Sequence, residues 1–172
     1  FWLGRGASIL ENAPSTCRSG MFCSLRKIWA GFMMLSTAIS CLALNIYHEA
    51  RSEPLYSQIA VAQVTLNRVS SAKYPSTVCG VVTQSHQFSW FWDGLSDTPR
   101  EPLAWAHSLA LAEVMLKKTI AVDCVNTSTH YHADYVKPYW SKVFSKTCQL
   151  GKHIFYKEKS VWILRWPNIW RK

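Results

Sequence analysis

The clearest pattern of apolar and polar positions lies between residues 28 and 53. Residues 28–44 carry no charge, and the sequence then turns polar and includes two glutamates. If this stretch is helical, Leu42, Ile46 and Glu49 recur at i, i+4 and i+7 and share one face. The helix is predicted to end near Arg51, because a nearby proline disfavours helical backbone at the residue before it. The pattern therefore places Glu49 at the end of a buried stripe, where an apolar wall would meet a cleft.

Glu49 is the first candidate for chemistry in this sequence. A carboxylic acid at the edge of an apolar wall has its charged form disfavoured, which raises its pKa toward the range useful for a general acid. The alternative is a glutamate on a solvated turn, since most carboxylates are surface groups. Spacing alone leaves both interpretations open.

Two further helices follow from the same periodicity. Apolar residues recur at close to 3.6-residue spacing between Leu55 and Val69, which predicts a second helix. Thr98 and Pro99 resemble a helix start, with a capping hydroxyl followed by proline at the first helical position. This third helix is predicted to continue to about Lys118 as a scaffold element. Its apolar stripe runs along Leu103, Ala106, Ala110 and Val114 to Lys117, with Leu109 and Leu116 nearby.

Three other segments predict a small antiparallel sheet. They are residues 87–91, 129–133 and 153–157. Alternation in the middle segment would place Thr129 and Tyr131 on one side of the strand and the two neighbouring histidines on the other. About three main helices packed on this sheet give an α+β fold in one domain, for which 172 residues are sufficient.

The segment from Gln87 to Trp92 is dense in aromatic residues and ends at an Asp-Gly turn signal. Stacked rings beside amides and hydroxyls suit a sugar, whose apolar faces lie on rings and whose hydroxyls meet polar edges. A strand of the hydrophobic core is the alternative interpretation for Trp90 and Trp92.

The excess of positive charge indicates which classes of molecule the protein binds. The net charge is +9, from 19 Lys and Arg against 10 Asp and Glu. Such a balance suits nucleic acid, anionic lipid or a bacterial envelope. The sequence has no zinc-finger spacing, glycine-rich phosphate loop or RNA-binding aromatic signature, so nucleic acid is not expected. We expect a monomer that contacts an anionic envelope or membrane surface.

The N-terminal region has the pattern of a secretory signal peptide at about residues 21–40. Arg26 and Lys27 precede the uncharged run, and Ala-Ile-Ser at 38–40 supplies small residues at the two key positions for cleavage before Cys41. An uncleaved membrane anchor and a plain buried helix are the alternatives. Export to the periplasm or cell envelope is the expectation. The chain is divided into an N-terminal extension (1–40), a domain (41–157) and a basic, Trp-rich tail (158–172).

Cysteine usage fits an exported protein. The six cysteines, at 17, 23, 41, 79, 124 and 148, include no Cys-x-x-Cys pair. A Cys124–Cys148 bridge would close a loop around the His-Tyr-His segment, and Cys41 could meet Cys79. Counting does not settle the connectivity, and reduced buried thiols are the alternative.

Several ordered blocks resemble one known family. Residues 47–53, Tyr-His-Glu-Ala-Arg-Ser-Glu, are similar to the Tyr-Gly-Glu-Ala-Arg-Gly-Glu signature of the cell-wall hydrolase family that includes the spore-cortex-lytic enzymes. The resemblance covers roughly residues 41–157, and His48 and Ser52 depart from it by replacing the usual glycines. The further matching blocks are residues 63–69, 75–82, 87–89, 129–133 and 151–156.

The resemblance implies cleavage of peptidoglycan glycan strands, by a lytic transglycosylase or a muramidase. It implies a lysozyme-like fold, with a cleft between the helix of Glu49 and the sheet. Glu49 is the implied catalytic acid, the glycan strand is the partner and no cofactor is implied. The matching blocks give these substrate-binding positions: Gln87, Phe88, Ser89, Thr129, Tyr131 and His132.

Ordinary glycosidases need a second carboxylate. The candidates are Glu53, Asp93, Asp97 and Asp134, and no spacing selects one. A lytic transglycosylase needs only one glutamate, which first protonates the leaving oxygen and then serves as base.

Two other classes remain as alternatives. His130 and His132 are spaced to share a metal, as in a metal-dependent amidase, but the third ligand is unassigned and we predict no metal site. A non-catalytic wall-binding or membrane-anchored protein that keeps the fold is suggested by His48 and Ser52.

Overall fold

The computed structural model describes residues 37–159. Residues 21–36 of the predicted signal peptide, Cys17, Cys23 and the tail after residue 159 lie outside the described residues. Within residues 37–159, no helix is both long enough and apolar enough to cross a membrane.

Four helices form one part of the fold, and α1 is helical over residues 37–50. The others are α2 (Leu55–Val69), α3 (Val78–Val82) and α4 (Pro102–Leu116). Short 3-10 turns occupy Ser89–Phe91, Asp123–Val125 and Tyr139–Lys142. The predicted end of the first helix and both ends of the second are confirmed.

Helix α2 lies at the centre of the structure. Every residue from Ile59 to Thr65 is buried, so this helix contacts protein on most of its circumference. Leu42 and Ile46 of α1 are fully buried in the cluster that contains Ile59. Phe155 belongs to a second cluster, together with the small and β-branched side chains of α2. Together α1 and α2 hold the sheet against the core.

The sheet has three antiparallel strands, β1 (His130–Ala133), β2 (Ser145–Leu150) and β3 (His153–Lys157), in the order β1-β3-β2. Strand β3 is therefore central, with Tyr131 of β1 opposite its Phe155. The β2–β3 turn passes through Gly151 at a φ of 54°. A side chain there would collide with Glu53 and Ser57, so glycine allows this turn to lie against the start of α2.

The prediction of a strand at residues 87–91 is wrong. The chain reverses at His86, which has a φ of 59°, and then forms the 3-10 turn Ser89–Phe91. Phe88 and Trp90 are both buried. Their alternation with more exposed residues resembles a strand, but a tight turn produces the same alternation. The third strand is instead β2, whose exposed lysine and glutamine give little apolar signal.

The predicted start of α4 at Thr98 and Pro99 is also wrong, because the helix begins at Pro102. The Tyr47 hydroxyl accepts hydrogen bonds from the backbone N–H groups of Arg100 (3.0 Å) and Glu101 (3.1 Å). These donors are thus engaged outside the helix, and Pro102 disfavours helical backbone at Glu101. The predicted apolar stripe of α4 faces solvent, whereas the buried residues are Ser108, Leu111, Ala112 and Met115.

Both predicted disulfides are present. Cys41–Cys79 joins α1 to α3, and Cys124–Cys148 joins the Asp123–Val125 turn to β2. The second bridge closes a loop of the chain that contains all of β1, as expected for the predicted Cys124–Cys148 pairing. The two bridges therefore anchor both the helix that carries Glu49 and the sheet that faces it.

Candidate active site

Glu49 lies in the last turn of α1 and lines a cleft of about 630 Å³, which we call the Glu49 cleft. Its Oε2 accepts a hydrogen bond of 3.1 Å from the Tyr131 hydroxyl of β1. The Glu49 cleft lies between the end of this helix, the 86–92 segment and the first strand. The other lining residues are His48, Arg68, His86, Gln87, Phe88, Ser89, Trp90, Trp92, Tyr131, His132, Ala133, Tyr135, Val136 and His153.

Burial raises the pKa of the Glu49 carboxyl, and this is the largest influence on it. Three groups oppose the shift by favouring the charged form: the Tyr131 hydroxyl, the Arg68 charge and the Trp90 indole N–H. The indole N–H acts on the carboxylate from nearby, although it makes no hydrogen bond within normal limits. The net pKa remains raised, so Glu49 holds its proton to higher pH than an exposed glutamate.

Tyr131 is suited to remain a hydrogen-bond donor to Glu49. Burial and the adjacent Glu49 charge raise the pKa of its hydroxyl well above the ordinary value. The ring packs edge-on against His153, with 5.4 Å between centroids. Tyr131 therefore fixes the carboxylate without competing to ionise.

His48 forms part of the aromatic wall at a position where the family signature has glycine. Its imidazole stacks on Trp90 with 4.5 Å between ring centroids and 15° between planes. Its Nε2 lies 3.0 Å from the carbonyl oxygen of Asp97, which fixes Nε2–H as the donor. The larger side chain thus joins α1 to the loop before α4 and leaves the Glu49 contact with Tyr131 intact.

The two strand histidines point to the other side of β1 from Tyr131, as predicted. Both rings contact Trp140, at 5.2 Å for His130 and 5.5 Å for His132. His132 has both nitrogens engaged: Nδ1 donates to the Ala133 carbonyl (2.8 Å), and Nε2 accepts from the Tyr156 hydroxyl (3.1 Å). Burial lowers the pKa of His130 to about 4.

Across residues 37–159, no three His, Cys, Asp or Glu side chains are grouped to hold a metal.

Five of the six predicted substrate-binding residues line the Glu49 cleft. They are Gln87, Phe88, Ser89, Tyr131 and His132. Thr129 lies elsewhere, in a second pocket that we call the lysine pocket. Its side chain approaches His130 Nδ1 at 3.0 Å, and its carbonyl accepts from Arg68 Nε at 2.7 Å. The lysine pocket is lined by Ser71, Lys73, Thr127, Thr129, Ser145, Lys157, Glu158 and Lys159.

The four candidates for a second carboxylate do not line the Glu49 cleft. Glu53 accepts from the Lys152 N–H at 3.1 Å, and Asp93 accepts from the Leu95 N–H at 2.8 Å. Asp97 and Asp134 also lie outside the lining. Among the described residues, Glu49 is thus the one carboxylate that borders the cleft.

Sequence reasoning missed Arg68 and His153 as cleft residues. Both fall inside blocks that match the family, and this is the available signal. Tyr135 and His86 give no comparable signal, because their position depends on how two loops fold toward each other, whereas Trp92 lies in the aromatic segment that suits a sugar.

The sequence of this chain matches a family model described as cell wall hydrolase, over residues 52–156. The spore cortex-lytic enzyme of Bacillus cereus is 33% identical over 121 residues, which cover 69% of this chain and 44% of that protein. The enzyme of the same name from Oceanobacillus iheyensis is 35% identical over 120 residues, covering 69% and 41%. The chain thus spans less than half the length of these curated relatives.

Two solved structures are similar to the whole described fold. The catalytic domain of Bacillus cereus SleB has a TM-score of 0.57 and 30% identity, covering 71% of this chain and 91% of that domain. The catalytic domain of the germination-specific lytic transglycosylase SleB from Bacillus anthracis has a TM-score of 0.57 and 32% identity, covering 70% and 93%. The predicted lysozyme-like α+β fold is confirmed by these neighbours. By sequence and by fold, this chain belongs to the cell wall hydrolase family.

Proposed function

We propose that this protein cleaves the glycan strands of peptidoglycan as a lytic transglycosylase, with Glu49 as general acid and then base. The observation that carries the proposal is one buried carboxylate, with a raised pKa, in a cleft walled by aromatic rings. The similarity to spore cortex-lytic enzymes, and to the catalytic domain of a lytic transglycosylase, supports the same reaction.

The reaction needs only the groups that the cleft provides. Protonated Glu49 gives its proton to the glycosidic oxygen as the bond from that oxygen to the anomeric carbon breaks. The carboxylate then takes the proton from the 6-hydroxyl of the same sugar, whose oxygen attacks the anomeric carbon and closes the anhydro ring. Glu49 ends protonated, ready for another cycle, and no water is consumed.

The neighbours of Glu49 favour its second role. The Tyr131 hydroxyl and the Arg68 charge both stabilise the carboxylate form, whereas burial favours the acid. A carboxyl balanced between these influences can give up a proton and recover it in the same turnover. The proposal therefore explains why charged and polar groups surround an acid whose pKa is raised.

A muramidase is the closest alternative. Its water would need activation by a second carboxylate, or that carboxylate would form a covalent intermediate. The four candidates for it lie outside the cleft lining, and this favours the transglycosylase. A wall-binding protein without activity would keep the cleft but release no products, and a metal-dependent amidase would lose activity on chelation and regain it with zinc.

We also propose that the protein is exported and acts as a monomer on the envelope, where its net charge of +9 favours contact with anionic polymers. Cleavage before Cys41 would remove Ala38 and Ile39, which pack against the core. N-terminal sequencing of the protein recovered from the cell envelope tests this boundary. A start after Ser40 supports the predicted signal peptide, whereas an earlier start favours a longer domain or an uncleaved anchor.

The function is tested by mass spectrometry of purified peptidoglycan digested with the full chain, beside a Glu49→Gln control. We expect soluble muropeptides that end in 1,6-anhydro sugars, and none from the control. Reducing ends would indicate a muramidase. Cleaved peptide stems on intact glycans would indicate an amidase, and no release at all would support the non-catalytic binding protein.

A further inference from the structure

Arg68 is held rigidly beside the Glu49 cleft. It lies in the last turn of α2, is 5% exposed and donates from Nε to the Thr129 carbonyl at 2.7 Å. Its guanidinium carbon lies 5.5 Å from the ring centroids of both Tyr74 and Phe88. One hydrogen bond and two rings therefore fix the plane of the group, so little conformational entropy remains to be lost on binding.

One terminal nitrogen of this guanidinium has no hydrogen-bond partner among the described residues. Arg68 Nη1 is buried and makes no hydrogen bond, although buried polar groups are nearly always paired. Seven buried side-chain polar atoms of residues 37–159 lack a hydrogen-bond partner. Three of them belong to residues that line the cleft: Arg68 Nη1, Trp90 Nε1 and His153 Nδ1. Two of these three atoms can only donate, so the cleft lacks an acceptor rather than a donor.

Glu49 does not supply that acceptor. The two charges attract each other, but Glu49 and Arg68 are not among the ion pairs of the described residues. The Glu49 carboxylate accepts instead from Tyr131. A charged donor thus lines the cleft, close enough to influence the acid and still free to bind something else.

We propose that Arg68 is a substrate-binding residue, whose Nη edge donates a hydrogen bond to the acetamido carbonyl oxygen of an amino sugar in the cleft. The inference rests on the proposed function, because it assumes that the cleft holds a glycan. The acetamido group is the acceptor of the right kind: it is neutral, projects from the ring and carries a carbonyl oxygen that a buried guanidinium can bind strongly. A chain of glucose units offers only hydroxyls at the same position.

The test measures binding rather than cleavage, so that it stands apart from the catalytic assignment. Glu49→Gln protein is titrated with chitotetraose, the tetramer of N-acetylglucosamine. It is then titrated with cellotetraose, which has the same linkage and a hydroxyl in place of each acetamido group. We expect chitotetraose to bind about tenfold tighter or more, because the hydroxyl oxygen of cellotetraose lies two bonds nearer the ring than the acetamido carbonyl oxygen and would leave the buried donor unpaired.

The decisive comparison adds Arg68→Lys to the Glu49→Gln protein. Lysine keeps the positive charge but loses the planar Nη edge, so the preference for chitotetraose should fall below about threefold. Arg100→Lys is the matched control, because Arg100 is exposed and lies outside the cleft lining. The same preference in Arg68→Lys as in the control would overturn the proposal and leave the function standing. Failure of the Glu49→Gln protein to bind either sugar would also overturn the proposal, and the digestion of peptidoglycan would decide on the function separately.

Two further measurements cover the case in which Arg68→Lys does not fold. Arg68→Met replaces the buried charge by an apolar chain of similar length, and it should show the same loss of preference. In the Glu49→Gln protein labelled with ¹⁵N-arginine, chitotetraose should shift the guanidinium signals of one arginine, and cellotetraose should not. Shifts by both sugars, or by neither while both bind, would contradict an acetamido contact.

Discussion

The Glu49 cleft and the lysine pocket have the same volume, about 630 Å³, and each contains one glutamate. The pKa values of the two glutamates are shifted in opposite directions. Burial raises the pKa of Glu49, whereas the hydrogen bond and charge of Lys73 lower the pKa of Glu158. A proton donor for a glycosidic oxygen must be protonated near neutral pH, and only the first glutamate is moved in that direction. Desolvation of the acid, rather than pocket size, therefore distinguishes the candidate active site.

Matched substitutions of the two glutamates should show the largest difference. Glu49→Gln should reduce the rate of glycan cleavage by about a thousandfold or more, because the proton donor is lost. Glu158→Gln should keep the rate within about twofold, since the contacts of Glu158, a surface ion pair with Lys73 and a hydrogen bond from the Tyr74 hydroxyl, lie outside the Glu49 cleft. Release of soluble muropeptides over time measures both rates. Comparable losses in both variants would remove the distinction between the two pockets.

The same substitution of Glu49 should raise stability at neutral pH. A folded-state pKa above the unfolded value means that the ionised carboxyl opposes folding, and stability is lost as pH rises through the folded pKa. Glutamine carries no charge and avoids this loss. The Tm of Glu49→Gln should therefore exceed that of the natural protein at pH 7, with the difference disappearing below the unfolded pKa. A lower Tm at pH 7 would show that Glu49 is not a desolvated acid.

Loss of the Tyr131 hydroxyl should have the next largest effect. Tyr131→Phe removes a hydrogen bond that favours charged Glu49, so the pKa of Glu49 should rise further. We expect kcat to fall by about tenfold through lost positioning, and the high-pH limb of the rate profile to move upward. Tyr139→Phe is the control, because Tyr139 is 84% exposed and lies outside the cleft lining. A downward shift of the limb would contradict this account of the cleft.

Aromatic contacts at the rim of the cleft should affect binding more than chemistry. Trp92 is 51% exposed and lines the cleft, so its ring is available to stack on a sugar. Trp92→Ala should raise KM by about three- to tenfold with little change in kcat. The control, Leu95→Ala, removes a more exposed apolar side chain that does not line the cleft. Equal effects in both variants would show that general surface hydrophobicity, rather than the Glu49 cleft, holds the glycan.

The difference between the pockets also explains what could be predicted from the sequence. The stripe of Leu42, Ile46 and Glu49 is predicted correctly, because helical spacing alone sets which side chains share a face. The two disulfides are the pairings that the sequence analysis considered, although counting did not settle them, and two of the three predicted strand segments are strands β1 and β3. Thr129 and Tyr131 are assigned to one site because both fall in a block that matches the family, and alternation places them on one side of the chain, yet they border different pockets. Alternation gives the side of a strand but not the neighbouring element that completes a cavity.

The 86–101 segment shows the limit most clearly. Its aromatic residues predict a strand, and its Thr-Pro pair predicts a helix start. The backbone of this segment is instead fixed by hydrogen bonds to residues far away in the sequence. The Tyr47 hydroxyl accepts from the N–H groups of Arg100 and Glu101, and His48 donates to the Asp97 carbonyl. These contacts join residues about fifty positions apart, so no local window of sequence contains them. His86 is missed for the same reason, whereas Gln87, Phe88 and Ser89 are found only because their block matches the family.

Lysine substitutions should give the smallest effect and the most direct test of the lysine pocket. Lys73 and Lys117 are both exposed, at 68% and 63%, and each pairs with a glutamate, but only Lys73 lines the lysine pocket. If the basic surface acts only through net charge, Lys73→Ala and Lys117→Ala should weaken adsorption to isolated cell walls equally. Each loss should be less than about twofold at low salt and should disappear near 0.15 M salt, where exposed charges are screened. A loss in Lys73→Ala alone that persists at this salt concentration would indicate a specific anion site in the lysine pocket. The pocket would then contribute to wall binding, whereas the Glu49 cleft would remain the place where a desolvated acid meets the glycan.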